Sequence, residues 1–109
     1  MRSARVYRNS ILAGILKEES DGKFRFEYDA EYWINDKNPA ISLTMPKHIK
    51  THKSEYLFPF FFNMLTEGVN RKVQSRHLQI SEEDHFGLLL ATSSIDSIGA
   101  VTVEEIKDD

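Results

Sequence analysis

The 109-residue sequence predicts an α+β domain, a small antiparallel sheet with a cluster of helices packed on one face. Three observations carry that expectation. The first half alternates apolar and polar residues between turn dipeptides, residues 54 to 93 switch to helical spacing, and a β-branched segment comes near the end. A chain of this length buries one modest core, so one domain over residues 1–109 is expected.

The strands come first. Val6-Tyr7-Arg8 and Ile11 to Leu16 are separated by Asn9-Ser10, whose turn chemistry predicts a tight hairpin. After Lys17-Glu18-Glu19-Ser20, the pair Asp21-Gly22 marks a second turn, because Gly adopts positive φ cheaply and Asp bonds its own backbone. Lys23 to Tyr28 follows as a strand. Phe24, Phe26 and Tyr28 alternate there with Lys23, Arg25 and Glu27, the signature of a sheet with one wet face. Asp29 to Ile34 is expected to make one helical turn anchored by Tyr32 and Trp33, leading into the polar loop Asn35 to Pro39. Ile41, Leu43 and Met45 alternate with Ser42 and Thr44, which predicts a short strand ended by Pro46. Lys47 to Lys53 reads as a basic loop.

Helical spacing begins at about Ser54, with Phe58, Phe61, Phe62 and Leu65 at i, i+3, i+4 and i+7, and Pro59 early enough for a first turn. Thr66-Glu67-Gly68 interrupts it, since Gly inside a helix costs roughly 1 kcal/mol relative to Ala. Val69, Val73 and Leu78 mark a second, more polar helix. Ser81-Glu82-Glu83-Asp84 is a helix start, with a Ser hydroxyl to cap free amides and acids at the positive dipole end, and Phe86, Leu89 and Leu90 form the buried stripe behind it. Ile98 to Val103 is β-branched and predicts a strand returning to the sheet, after which Glu104 to Asp109 is expected to fray.

Composition narrows the function classes. With no cysteine, a disulfide framework, a thiolate metal site and a cysteine nucleophile are all excluded, which fits a reducing cytoplasm. No apolar stretch of secretory length follows the N-terminal charges, and Leu57 to Phe62 is far too short to span a bilayer, so a soluble cytoplasmic protein is expected. A net charge of −3 argues against binding driven by nucleic-acid phosphates, while leaving room for a local basic patch.

Catalytic motifs are missing from the sequence. The acid pairs Glu18-Glu19 and Glu82-Glu83 belong to a turn and a helix start, and no nucleophile elbow accompanies the Ser and His residues. Candidate contact residues are easier to name. Phe58, Phe60, Phe61 and Phe62 cannot all face one core from one helix, because neighbouring positions point about 100° apart. Phe60 is the one expected outside, with Met64 beside it at i+4 as a pliable companion, unless a loop or the sheet edge covers it. Trp33, the only tryptophan, is either a core plug together with Tyr32 and Ile34 or an interface anchor. Lys47, His48, Lys50 and Lys53 form a basic stretch that suits an acidic partner, a phosphate, or plain solvent. His48 and His52 have zinc spacing for a helix but lack a third ligand, so neither a metal nor any other cofactor is expected.

Four stretches in order resemble the N-terminal subdomain of the HipA family of serine/threonine kinase toxins. They are Ile41 to Pro46, similar to the family's "LSLSLP"; Phe60 to Gly68, similar to "FFxNLLPEG"; Asp84 to Leu89, similar to "DxFxLL"; and Asp96 to Val101, similar to "DxxGAV". In full-length kinases of the family the chain continues into the phosphoryl-transfer machinery, whereas here it stops a few residues on, with no glycine-rich phosphate loop and no catalytic-loop Asp and Asn at kinase spacing. Asp84-His85-Phe86-Gly87 resembles a DFG signature only superficially, since it sits inside a capped amphipathic helix. A free-standing copy resembles HipS, the small component of three-gene HipBST toxin–antitoxin systems. That resemblance implies an antitoxin whose partner is a HipT/HipA-like serine/threonine kinase toxin, with a helix-turn-helix HipB-like protein handling DNA. Two alternatives stay open at this point: a lobe that completes and activates a split kinase, and a nucleic-acid-binding module using the basic loop.

Overall fold

β1 (Ser3–Arg8) and β2 (Ile11–Glu18) form the predicted hairpin, and Asn9 and Ser10 both take positive φ, 50° and 68°, as a two-residue turn matching the strands' twist requires. The structure is a computed structural model that describes residues 2–65, 69–92 and 101–106. β2 continues past the predicted Leu16. It bulges at Ala13, where the register with β1 shifts, and the freed Ala13 carbonyl accepts the Asp29 N–H at 2.7 Å. Gly22, at φ 84°, turns the chain into β3 (Phe24–Tyr28), helped by the Asp21 carboxylate, which accepts the Lys23 N–H at 3.0 Å.

Among the described residues, five strands make one antiparallel sheet in the order β4-β3-β2-β1-β5, with β4 at Thr51–Ser54 and β5 at Val101–Ile106. The register puts Ala4, Leu16 and Phe26 in one row across the covered face, and Val6 beside Val103 in the next. Helices supply the lid: α1 (Ala30–Ile34), α2 (Pro59–Phe62), α3 (Val69–Leu78) and α4 (His85–Thr92). Phe61, Phe86, Leu88 and Leu89 from this layer are buried in the same core as the sheet residues. On the other face Lys17, Arg25 and Lys53 stand directly opposite one another on adjacent strands. Such a row of like charges stays stable only where water reaches it.

Several boundaries differ from expectation, each for a physical reason. No strand forms at Ile41–Met45, because Ile41 and Met45 both turn into the core while Leu43 between them stands in solvent on a turn closed by Met45 N–H to Ser42 carbonyl at 3.1 Å. Thr51 to Lys53 is not loop but edge strand, with the polar, lysine-bearing composition that edges tolerate. The first long helix starts at Pro59 rather than Ser54, which belongs to β4, and it lasts one turn. The side-chain cap of α4 is Asp84, accepting the Gly87 N–H at 3.1 Å, while Ser81 closes only the preceding turn. Leu88, with Phe86 and Leu89, is fully buried, and Leu90 only half. Glu104 to Ile106 do not fray but pair with Ser3 to Arg5. The expected interruption at 66–68, and Ile98 to Ala100 of the last predicted strand, lie outside the described residues.

Candidate functional site

The long connection from α1 to β4, residues 35–50, contains no helix or strand, yet aromatic side chains pin it at five backbone positions. The Tyr28 hydroxyl donates to the Met45 carbonyl and accepts the Ile41 N–H at 3.2 Å, so one side chain holds both arms of the turn between them. Tyr32 donates to the Pro39 carbonyl at 2.6 Å. The Trp33 indole N–H donates to the Lys47 carbonyl at 2.6 Å, and His52 Nε2 lies 3.0 Å from the Pro46 carbonyl. Tyr28 and Tyr32 stack with rings parallel at 6.1 Å, which sets both hydroxyls toward the loop. Burial pushes the Tyr28 phenol above its usual range despite the opposing Ile41 N–H, and burial likewise raises Tyr32. Both therefore remain protonated donors across the physiological range.

On this scaffold four of the sequence-named residues come together. Trp33, Lys47 and His48 line an open groove with Ile34, Asp36 and Asn38, and the Lys50 ammonium sits 5.6 Å from the Trp33 ring centroid. Lys47 is occupied, its ammonium donating to the Asn35 and Asn38 carbonyls at 2.8 and 2.7 Å and so closing the open C-terminus of α1. Trp33 is 37% exposed and Ile34 76%, against 2% for Tyr32. The plug on the sheet is thus Tyr32 alone, and Trp33 forms the rim of a surface groove.

The remaining named residues lie elsewhere. Lys53 projects from the outer sheet face opposite Arg25. Phe60 and Met64 belong to α2 and the turn after it, and both are half-buried against the core, Phe60 edge-on to Phe61 at 5.3 Å. Phe60 is therefore neither free nor sealed. His48 is in a turn and His52 in β4, so the helical i, i+4 geometry for zinc does not exist, and among the described residues no group of three or more His, Cys, Asp or Glu is placed to hold a metal. Sequence reasoning missed Leu43, which is 100% exposed, and Tyr56, at 76%. No local pattern distinguishes either from a core residue.

What the groove offers is contact area: an indole held in place by its own N–H bond, an exposed isoleucine, and cations at the rim. That combination suits a protein surface, because a fixed aromatic loses little rotamer freedom on binding. Tyr28→Phe tests the scaffold. It strips two backbone groups of their partner, and the expected result is a loss of about 1–2 kcal/mol in denaturant unfolding together with faster amide exchange at Ile41.

The sequence model of the HipA N-terminal domain family matches residues 4–104. The chain belongs to that family. An uncharacterized protein of Haemophilus influenzae is 31% identical over 107 residues, covering 98% of this chain and 95% of its own length. In Sinorhizobium fredii, the protein named "Putative kinase Y4mE" is 28% identical over 90 residues, which are 82% of this chain but 21% of that protein. A solved "N-terminal domain of HipA toxin" superposes with a TM-score of 0.73 over 100% of this chain and 96% of that one, at 23% identity, so the HipA N-terminal domain fold is shared throughout. The matches are to the N-terminal domain and not to a kinase domain. Among the described residues no helix is long and apolar enough to cross a membrane.

Proposed function

We propose that this chain is a HipS-type antitoxin that docks onto a HipA-type serine/threonine kinase toxin and suppresses its activity by covering it. The observation that carries this reading is the size distribution of the relatives. The same domain occupies about a fifth of a protein named as a kinase and nearly the whole of the Haemophilus influenzae relative. A domain found at both sizes is one whose contacts with a kinase can be made within one chain or between two. In this reading residues 1–109 act as one non-enzymatic domain in the cytoplasm, with a separate helix-turn-helix protein contacting DNA in any larger complex. Contact residues are Trp33, Lys47, His48 and Lys50 on the groove, with Lys53, Phe60 and Met64 as further points of attachment. Inhibition then follows from holding the kinase in an inactive arrangement or from closing its cleft to substrate.

The test pairs the purified chain with a HipA-type serine/threonine kinase from the same organism. Autophosphorylation is expected to fall in proportion to added chain until the two are equimolar, and co-expression is expected to restore growth. Trp33→Ala is expected to weaken binding by ~30-fold, the scale of a hot-spot tryptophan. If the kinase works only when the chain is present, the split-kinase reading replaces this one. If activity and growth are indifferent to the chain, both fail.

A further inference from the structure

We infer that the turn Ser42 to Met45 is a preformed knob whose Leu43 side chain enters an apolar pocket on the partner protein. The inference rests on the reading of the chain as a kinase-docking protein, and adds to it another point of attachment that uses different chemistry from the groove. Leu43 is completely exposed, while Ile41 and Met45, two residues away on either side, are 7% and 1% exposed. The leucine therefore cannot relieve its exposure by folding back, since its neighbours already fill the space beneath. Ser42 Oγ accepts the Thr44 N–H at 3.2 Å and lies 2.9 Å from Thr44 Oγ1, the Ser42 carbonyl accepts the Met45 N–H, and the Tyr28 hydroxyl ties both arms to the core. A side chain held this way gives up little conformational freedom when it binds.

The surroundings identify the occupant as an apolar protein pocket. From Asn38 to Pro46 the chain carries no charge, in a protein where 28% of residues are charged. Neither phosphates nor anionic headgroups are attracted to such a tip, and a single leucine offers less than the one acyl chain that already binds a bilayer only marginally. A second copy of this chain fits poorly. Its grooves carry charge on their walls, the Arg25–Glu19 pair and Lys53 in one, Glu18 and Asp84 in another, and Asp36 and Lys47 beside Trp33 in a third, and a leucine seated there would take these charges and ion pairs out of water while offering them no hydrogen bond. A pocket of apolar lining, one leucine deep, on a different protein remains.

The experiment titrates full-length wild-type chain, Leu43→Ala and Leu43→Asp against the purified kinase, after thermal unfolding has shown that both variants fold as the wild type does. Leu43→Ala is expected to raise Kd by ~10-fold and Leu43→Asp by ~100-fold, the range for losing a buried leucine and for forcing a carboxylate into its place, with the ratio nearly independent of salt. A photo-crosslinking residue at position 43 is expected to capture the kinase. Wild-type binding with both variants within two-fold of it overturns the knob and leaves the docking function standing. Failure of the wild type itself to bind overturns the docking function, and the knob with it. A change from dimer to monomer in Leu43→Asp alone, seen by light scattering, assigns the pocket to a second copy and overturns the partner assignment.

Discussion

Replacing Phe61 with alanine is expected to destabilise the protein by about 3–5 kcal/mol, a large part of the roughly 5–15 kcal/mol that holds a domain of this kind folded. Phe61 has no exposed surface, and its ring meets Phe26 at 5.9 Å, Phe58 at 6.3 Å and Phe60 at 5.3 Å. It is the side chain by which the single turn of α2 is fastened to the sheet. With Pro59 at its first position and no side-chain cap, that turn has little intrinsic stability, so its geometry comes from packing. Alanine leaves a cavity that the rigid strand β3 cannot close. Phe60→Ala, one position away, removes an identical ring that is only half-buried, and the expected loss is under about 2 kcal/mol. Urea unfolding of both variants at constant m-value separates them. Equal losses would mean that the division of labour among these phenylalanines is wrong.

The contrast shows where sequence was sufficient. Four aromatics within the five residues 58–62 and a 3.6-residue period already require unequal burial, because that geometry is local. The Asn9-Ser10 hairpin and the alternating run from Lys23 to Tyr28 were legible for the same reason: turn chemistry and a period of two are properties of neighbouring residues. Ile41, Leu43 and Met45 show the limit. Their alternation satisfies a strand as well as it satisfies a turn with two buried feet, and the choice is made by the Tyr28 hydroxyl, 13 and 17 residues away in the chain. Thr51 to Ser54 carries no apolar pattern, since an edge strand needs only backbone pairing with β3. The end of α3 is equally silent: Gln79, not glycine, takes the left-handed φ of 57°, and the Ile80 N–H reaches the Ser75 carbonyl at 3.0 Å to close the helix.

Legibility of the candidate site divides in the same way. Lys47, His48 and Lys50 were visible as a cluster because they are sequence neighbours, and Trp33 stood out by its chemistry. That Trp33 lies against Lys47 and Lys50, while Lys53 leaves for the other face of the sheet, depends on the loop being folded back onto α1 and on strand β4 starting at Thr51. Leu43 carried no signal at all. A leucine between alternating residues reads as buried, and only the three-dimensional pinning of its flanks turns it outward.

Asp84→Ala is expected to cost about 2–3 kcal/mol near neutral pH, from the loss of a helix cap worth about 1 kcal/mol and of a paired carboxylate whose contribution is discounted for its partial exposure to about 1–2 kcal/mol. Arg2 is the centre of this arrangement. Its guanidinium donates to both oxygens of Glu18 at 2.9 Å and to both oxygens of Asp84 at 2.8 Å, and it lies 5.4 Å from the Phe86 ring centroid. One side chain thus ties the entry to β1, the end of β2 and the start of α4. Position 87 is glycine for a steric reason, since a Cβ there would collide with the Asp84 carboxylate and crowd the Arg2 guanidinium. Hydrogen bonds from Arg2 above all, against the opposing effect of burial and with help from the Gly87 N–H, hold the Asp84 carboxyl below its usual range. The folded protein therefore binds this proton less readily than the unfolded chain does. The resulting stability is fully present above the ordinary aspartate pKa of about 3.9 and is lost as pH falls through the lower folded value. Asp84→Asn keeps a capping oxygen but cannot titrate. Its deficit relative to wild type, measured by urea unfolding, is expected to be largest at about pH 6 and to shrink toward about pH 3, where the unfolded wild-type chain takes up the proton that the folded carboxyl resists. A deficit of the same size at both pH values would mean that the cap alone matters and that the charge on Asp84 contributes nothing.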